Sequence, residues 1–372
     1  MKLREQFDSL VAGQSILNIQ YLLWKFLSYF QFRRYTAHLH FSSLSHFFLA
    51  SFVGEIKIRL MAVISFVSLP MERVWGGRAL ETAYGRTLPK EDGVYGEAWE
   101  LVDRPQEQSV VAQGGYAGKT LHELWTEQRD LLFGEGLPDS ERFPLLVKIL
   151  DARDDLSIQV HPPAHLAESL AGEPKTEMWY IAEAAADAQL YVGLRAGVDR
   201  GSFEKAIAQG AVAEQVHAIA VRGGDSIFIP SGRLHAIGAG LLIFEIQQNS
   251  DTTYRVFDWN RLGLDGKARE LHVAESLASI DFSDIEPQMD VPQGNVIALC
   301  EFFLVEKFVL APRTTVGNAH SERFALLTIV EGALEDASGQ RWERGATVLL
   351  TRGNEHLSAV LPSVVLRTSI PC

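Results

Sequence analysis

At 372 residues, 47% hydrophobic and 22% charged, the chain has the composition of a globular protein able to bury one large core or two modest ones. A formal net charge of −13 argues against a general nucleic-acid or anionic-membrane binder, yet allows a local basic pocket for an anionic small molecule. Two cysteines, Cys300 and Cys372, are too few for a disulfide framework, which points to a reducing cytoplasm.

The charge is unevenly spread. Residues 1–60 hold 7 Lys/Arg against 3 Asp/Glu, whereas residues 61–372 hold 27 against 44. The first 60 residues also carry 12 of the 36 aromatics and no proline. Their apolar stretches are too short to span a bilayer, being cut by Lys25, Arg33 and Arg34, and lie too deep for a secretory signal. The expectation is an N-terminal extension over 1–60, disordered or not native, with Met61 as the start. An amphipathic surface segment is the alternative.

From Met61 the sequence predicts a short apolar strand and then a Trp-Gly-Gly turn, with Trp75 either a pocket wall or a core plug. A strand over 96–102 carries Glu97. Residues 120–128 form a short helix capped by Thr120, with Glu123 in the capping-box position. Residues 143–150, F-P-L-L-V-K-I-L, read as a strand buried on both faces.

The stretch 156–179, L-S-I-Q-V-H-P-P-A-H-L-A-E-S-L-A-G-E-P-K-T-E-M-W, reads as half of a metal site. Ser157, Gln159 and His161 alternate with Leu156, Ile158 and Val160, so a strand presents the three polar side chains on one face. A Gly/Pro/Lys loop then returns the chain so that Glu177, at the start of the next strand, comes beside His161. His165, in the intervening loop, reads as a solvated surface residue.

A strand over 189–193 and an amphipathic helix over 199–209 follow, with a second short helix after it. In 224–235, G-D-S-I-F-I-P-S-G-R-L-H, turns at Gly224-Asp225 and Pro230-Ser231-Gly232 flank a strand and deliver His235. The strand over 241–247 carries Glu245, and Arg255 ends the segment N-S-D-T-T-Y-R ten residues later. From Asn295 onward short strands dominate, at 302–310, 323–330, 346–350 and 364–368. The spacing of Gly224, Pro230, Gly232 and His235 recurs as Gly345, Thr351, Gly353 and His356, and Glu322 echoes Glu177. This predicts an internal duplication whose second copy has lost its ligands, Glu322 and His356 being remnants.

The G-x5-P-x-G-x-x-H segment, preceded by a metal-ligand strand and a Glu, resembles the cupin β-barrel pattern. Together L-S-I-Q-V-H-P, K-T-E-M-W-Y, P-S-G-R-L-H-A-I-G and Q-Q-N-S-D-T-T-Y-R resemble the type I mannose-6-phosphate isomerase family in its short bacterial form, over about residues 62–370. W-G-G near Trp75 and G-E-A-W-E-L near Glu97 belong to the same likeness. Residues 1–60 have no counterpart in that family, and the large helical domain of its eukaryotic members is missing.

The resemblance implies a mainly β fold of two cupin-type jelly-roll barrels with a few short helices, a catalytic metal-binding one over 61–290 and a degenerate one without metal over 291–372. It implies one Zn²⁺ per chain held by Gln159, His161, Glu177 and His235, and Arg255 as a catalytic residue. Isomerising mannose 6-phosphate to fructose 6-phosphate through an enediol needs a polarised carbonyl, a base and a cation for the oxyanion. Glu245 is the expected base, although a buried salt bridge with Arg255 is the competing reading. Lys175 is expected to bind substrate or phosphate within the catalytic set, beside Ser157 and Arg255. The expected partner is a phosphosugar, with no nucleic acid and no membrane, and the protein a monomer or homodimer.

Two other functions fit part of the pattern. His161, Glu177 and His235 satisfy the two-His-one-carboxylate triad of a non-haem iron oxygenase, which Gln159 and the Lys175/Arg255 cations argue against. A non-catalytic sugar-binding cupin would share the frame without turnover.

Overall fold

In the computed structural model, residues 63–353 and 356–371 are described here, so the expectation for 1–60 lies outside the described residues. The elements below belong to one compact unit, which includes residues 63–112 and 118–353. The fold is mainly β, as expected, and its strands pack as two jelly-roll sandwiches.

The first sandwich pairs a six-stranded and a five-stranded sheet. The six-stranded sheet runs, in spatial order, Leu69–Gly77, Tyr95–Leu101, Leu145–Ala152, Leu241–Gln248, Glu177–Ala184 and Ser226–Ile229. Its third strand is buried along its whole length, as its apolar run predicts. The five-stranded sheet runs Tyr254–Phe257, Ile158–Val160, His235–Ile237, Gln189–Leu194 and Val216–Ala220. Trp75, Trp179, Leu190, Ile229 and Ile243 are among the side chains filling the space between the sheets. The outer face of the five-stranded sheet is closed by Phe203 of helix Arg200–Gln209, which Asp199 caps by accepting from Ser202 N. The capping box of helix Leu121–Glu127 is formed as read: Thr120 Oγ1 accepts from Glu123 N, and the Glu123 carboxylate accepts from Thr120 N.

The second sandwich has a six-stranded sheet, Val63–Ser65, Thr347–Leu350, Ala325–Glu331, Ser363–Ser369, Leu304–Leu310 and Val296–Leu299 in spatial order. The facing sheet runs Thr315–Gly317, His356–Ala359, Ala333–Glu335 and Arg341–Glu343. The first described strand therefore pairs with the C-terminal half, Val63 opposite Leu350, although it precedes every strand of the first sandwich.

The spacing echo has a structural counterpart. Gly224 (φ +97°) donates to Ile181 O while Asp225 O accepts from Ile181 N; Gly345 (φ +88°) donates to Ile329 O while Ala346 O accepts from Ile329 N. Both turns need a left-handed residue at the first position, which glycine adopts without strain. Strands Ser226–Ile229 and Thr347–Leu350 then follow at the same offset, as do His235–Ile237 and His356–Ala359.

One local expectation fails. Trp75-Gly76-Gly77 is the end of a nine-residue strand, not a turn. A Cβ on Gly76 would lie 2.2 Å from Gly96 N, so the glycine is there to let two backbones approach. Gly76→Ala is expected to destabilise the protein by about 1–3 kcal/mol in urea unfolding, because the clash is with backbone and not with a flexible side chain.

Candidate active site

The site is built where the inner faces of the first sandwich meet. On the five-stranded sheet, Arg255, Gln159 and His235 stand opposite one another on three adjacent strands. Residues in direct antiparallel register project to the same face, so the three polar side chains form one row. On the six-stranded sheet the register Trp99, Lys148, Glu245, Trp179 forms a second row. A cavity of about 370 Å³ is lined by both rows apart from Trp99, with Ser157, Lys175, Trp75, Glu97, Arg73 and Arg269 also on its wall.

His161, Glu177 and His235 converge beside the cavity, their ligand atoms all within 4.8 Å of one another. Glu177 Oε1 lies 3.8 Å from His161 Nε2 and 3.5 Å from His235 Nε2. All three side chains are buried, Glu177 at 0% exposure. Each imidazole is oriented by a backbone carbonyl: His161 Nδ1 stands 2.7 Å from Thr252 O, and His235 Nδ1 2.9 Å from Arg233 O. With Nδ1 donating, both rings turn a lone pair on Nε2 toward Glu177. His161 Nε2 and Glu177 Oε1 have no hydrogen-bond partner although fully buried. Orphaned acceptors at this density fit a divalent cation, and these residues could hold one.

Gln159 lies at the same spot. One end of its amide is 3.4 Å from His235 Nε2, and the other accepts from Ser157 Oγ at 3.2 Å. A half-turn of the amide points its oxygen at the His/Glu group and its nitrogen at Ser157, since the two ends are isosteric. Ser157 Oγ also accepts from Arg255 Nε at 3.2 Å, and Arg255 Nη1 donates to Glu270 O at 3.0 Å. Among the described residues no carboxylate pairs with Arg255.

Lys175 is buried between two acids, its Nζ 2.6 Å from Glu177 Oε2 and 3.5 Å from Glu245 Oε1. Burial alone would lower its pKa, but the charges of Glu177 and Glu245 win and raise it, so it stays an ammonium. Burial likewise works against ionised Glu177, and the Lys175 ammonium beside it holds it well below the usual carboxylate range. Desolvation lowers both histidines, His235 to about 3, with the Lys175 charge adding to the effect and Glu177 opposing it; both rings are neutral. Glu245 is shifted upward, first by burial and then by Glu177. Its Oε1 lies 3.3 Å from Lys148 Nζ, and Oε2 accepts from Trp179 Nε1 at 3.2 Å. Glu245 thus pairs with Lys148 and Lys175 and not with Arg255, contrary to the salt-bridge alternative.

Every residue singled out in the sequence for this site lies at it. His165, read as a surface residue, is exposed in the short helix Ala164–Ala167. Trp75 lines the cavity and is buried in the core, so both of its readings hold. Lys148, Arg73, Asp251, Arg269 and His272 also line the cavity and were not singled out. For Lys148 a signal existed: it is the one charge in the otherwise apolar run 143–150. Arg73, Arg269 and His272 carry no comparable local mark.

In the second sandwich the corresponding space is apolar, filled by Leu327, Ile329, Leu350 and Trp342 among others. Glu322 is 80% exposed and pairs with Arg352.

Comparison with known proteins decides the family. Residues 66–192 match the model of the phosphomannose isomerase type I catalytic domain. Over 296 residues the chain is 38% identical to mannose-6-phosphate isomerase ManA of Bacillus subtilis, covering 76% of this chain and 90% of that one. The chain belongs to the type I phosphomannose isomerase family. A crystal structure of the mannose 6-phosphate isomerase from Bacillus subtilis superimposes with a TM-score of 0.74 at 30% identity, covering 83% of this chain and all of that one. A mannose 6-phosphate isomerase structure described as holo and zinc bound shares the fold at 17% identity, TM-score 0.66, with 84% of this chain covered and all of that one.

Glu97 supplies a pH test of the cavity wall. It accepts from Trp99 Nε1 at 2.7 Å and from Arg73 Nη2 at 2.9 Å. Burial works against its charge, yet Lys148 and Arg73 hold its pKa at about 2. A depressed carboxylate pKa contributes stability that is complete above the unfolded value of about 4.5 and is lost as pH falls toward 2. Urea unfolding should therefore show an acid limb between pH 4.5 and 2 of up to about 3 kcal/mol, which Glu97→Gln flattens.

Proposed function

We propose that the protein interconverts mannose 6-phosphate and fructose 6-phosphate through an enediol, using a divalent metal held by Gln159, His161, Glu177 and His235. The observation that carries this reading is the meeting of the two rows, Gln159, His235 and Arg255 from the five-stranded sheet facing Lys148 and Glu245 from the six-stranded one, with His161 and the buried Glu177 completing a His/Glu/His group beside the cavity. Two imidazoles, an amide oxygen and one carboxylate suit Zn²⁺, one per chain, and leave a net charge of about +1. When bound, that ion supplies the electrophile that polarises the sugar carbonyl.

The protein's own residues do the rest. Glu245, with its pKa raised by burial, moves the proton between C1 and C2, and Lys148 steadies it in its ionised form. Lys175 keeps Glu177 ionised, and its ammonium reaches the cavity wall to donate to substrate oxygens. Arg255 places an uncompensated guanidinium beside the sugar, held by Ser157, where it stabilises developing oxyanion charge. Trp75 and Trp179 exclude water from the floor of the cavity.

We further propose residues 61–290 as the catalytic cupin domain and 291–372 as a degenerate one without metal, their boundary crossed by strand Val63–Ser65. A cytoplasmic location fits the scarcity of cysteine. No helix among the described residues is long and apolar enough to cross a membrane. Family membership and the cationic wall favour isomerisation over an iron oxygenase or a non-catalytic sugar-binding role.

The test is a coupled isomerase assay with and without chelator. Turnover of mannose 6-phosphate is expected, abolished by chelation and restored by zinc; no turnover with any divalent metal would contradict the proposal. Glu177→Gln and His235→Ala are expected to lose metal and activity together. Arg255→Ala should keep its metal and lose about 10²–10³-fold in kcat, the range for removing one preorganised oxyanion donor. Near-normal turnover of Arg255→Ala would remove it from the catalytic set.

A further inference from the structure

His235 is delivered to the His/Glu/His group by the turn 230–235, and that turn also touches the chain at the other two members. Gly232 N donates to His161 O at 2.9 Å, and Ser231 N donates at 3.4 Å to the hydroxyl of Thr176, the residue before Glu177. The His235 ring takes its direction from Arg233 O, 2.9 Å from Nδ1. A shift of this turn therefore moves all three ligand side chains relative to one another.

Arg233 is held by a residue from outside both sheets. Its guanidinium makes a two-pronged pair with Asp284, Nε to Oδ2 at 2.8 Å and Nη2 to Oδ1 at 3.0 Å, while Nη1 donates to Phe228 O at 2.8 Å. That last bond closes the turn on itself, because Phe228 lies in the strand that enters it. Both side chains of the pair are 17% exposed, so solvent screens it less than an open surface pair, and the fork restricts its orientation. Neither residue lines the cavity.

Asp284 belongs to the segment 281–290, which leads from helix Val273–Ser279 toward the second sandwich. The segment is itself anchored: Leu194 N donates to Asp284 O and Glu286 N to Leu194 O, each at 2.9 Å. It grips the turn and its entering strand at other points too. Asp281 N donates to Gly232 O at 2.8 Å, Asp290 N to Ser226 O at 3.3 Å, and the Asp290 carboxylate accepts from Phe228 N. Residues ahead of the turn and within it are thus fastened to one strap.

We infer that segment 281–290 is a strap that positions the metal ligands, and that the Arg233–Asp284 pair sets how tightly the site holds its ion. The inference rests on the metal reading above. Arg233 and Asp284 are positioning residues: they supply no ligand atom and act on His235 and His161 through the backbone of the turn. Groups that orient the ligands govern metal affinity because a ligand set already in place loses little conformational freedom on binding.

Two measurements on the full chain test this. Competition with a chromogenic chelator is expected to show Zn²⁺ bound about tenfold more weakly by Arg233→Ala, the lower end of the usual effect of removing an orienting partner. Asp284→Asn should weaken binding in the same direction and Arg233→Lys should recover part of it, since an ammonium cannot reproduce the fork. Loaded with Co²⁺, Arg233→Ala and Asp284→Asn should show visible bands shifted from those of the wild type, reporting altered ligand geometry. A Zn²⁺ affinity within about twofold of the wild type in both variants, or unshifted cobalt bands, would overturn the inference, even if the metal-free variants melt at lower temperature. Should Arg233→Ala fail to fold, the isosteric Asp284→Asn decides on the same criteria. If the wild type binds neither ion, the metal reading falls and the inference with it; if the wild type binds and the variants match it, the inference alone falls.

Discussion

A carboxylate with no exposed surface, Glu177, is the constraint on which the site depends. Removing an ion from water costs several kcal/mol even after relaxation, so a buried carboxylate persists only with charge to meet it. Lys175 meets one oxygen at 2.6 Å. The other faces two imidazoles whose Nδ1 atoms are already committed to backbone carbonyls, and finds no hydrogen-bond partner. Three acceptor atoms facing each other without a donor between them would repel, and a cation resolves that repulsion. The rest of the sandwich holds this arrangement in place: the register of five-stranded and six-stranded sheets sets which side chains look inward, and the tryptophan-lined core beneath keeps the groups dry.

Charge is layered across the cavity. Next to the proposed metal ligands, Lys175 and Lys148 are each engaged with buried acids, so that the floor is nearly balanced. Toward solvent the balance tips positive, because Asp258 answers both Arg261 and Arg269 while Arg255 has no acid partner among the described residues. A protein of net charge −13 thereby keeps a cationic entrance for an anionic sugar. The second sandwich repeats the turn geometry of the first, with Gly345 standing where Gly224 does, but apolar side chains fill its interior. Its first strand is taken from the start of the described chain, which ties the two halves through backbone pairing and not only through side-chain packing.

Much of the site was legible in the sequence because it sits on alternating strands and glycine-framed turns. Period-two spacing put Ser157, Gln159 and His161 on one face, and the Pro230-Ser231-Gly232 turn delivers His235 as its spacing suggests. Glycine was ambiguous elsewhere: Gly76 marks a close backbone approach inside a strand, which in a single sequence looks the same as a turn. Residues that reach the cavity through tertiary arrangement were not legible. Arg73 and Arg269 come from an edge strand and a hairpin, and nothing in their neighbours distinguishes them from surface arginines. Pairing of Val63–Ser65 with Thr347–Leu350 spans most of the chain and leaves no local trace. Lys148 was readable and passed over, since a lone charge in the apolar run 143–150 must face something that answers it.

The most direct test of this account is anomalous diffraction from crystals of the zinc-loaded protein, collected on both sides of the zinc edge. The account predicts a single strong peak between His161 Nε2, His235 Nε2, the Glu177 carboxylate and the Gln159 side chain. Absence of a peak there, or a dominant peak elsewhere in the molecule, would contradict it.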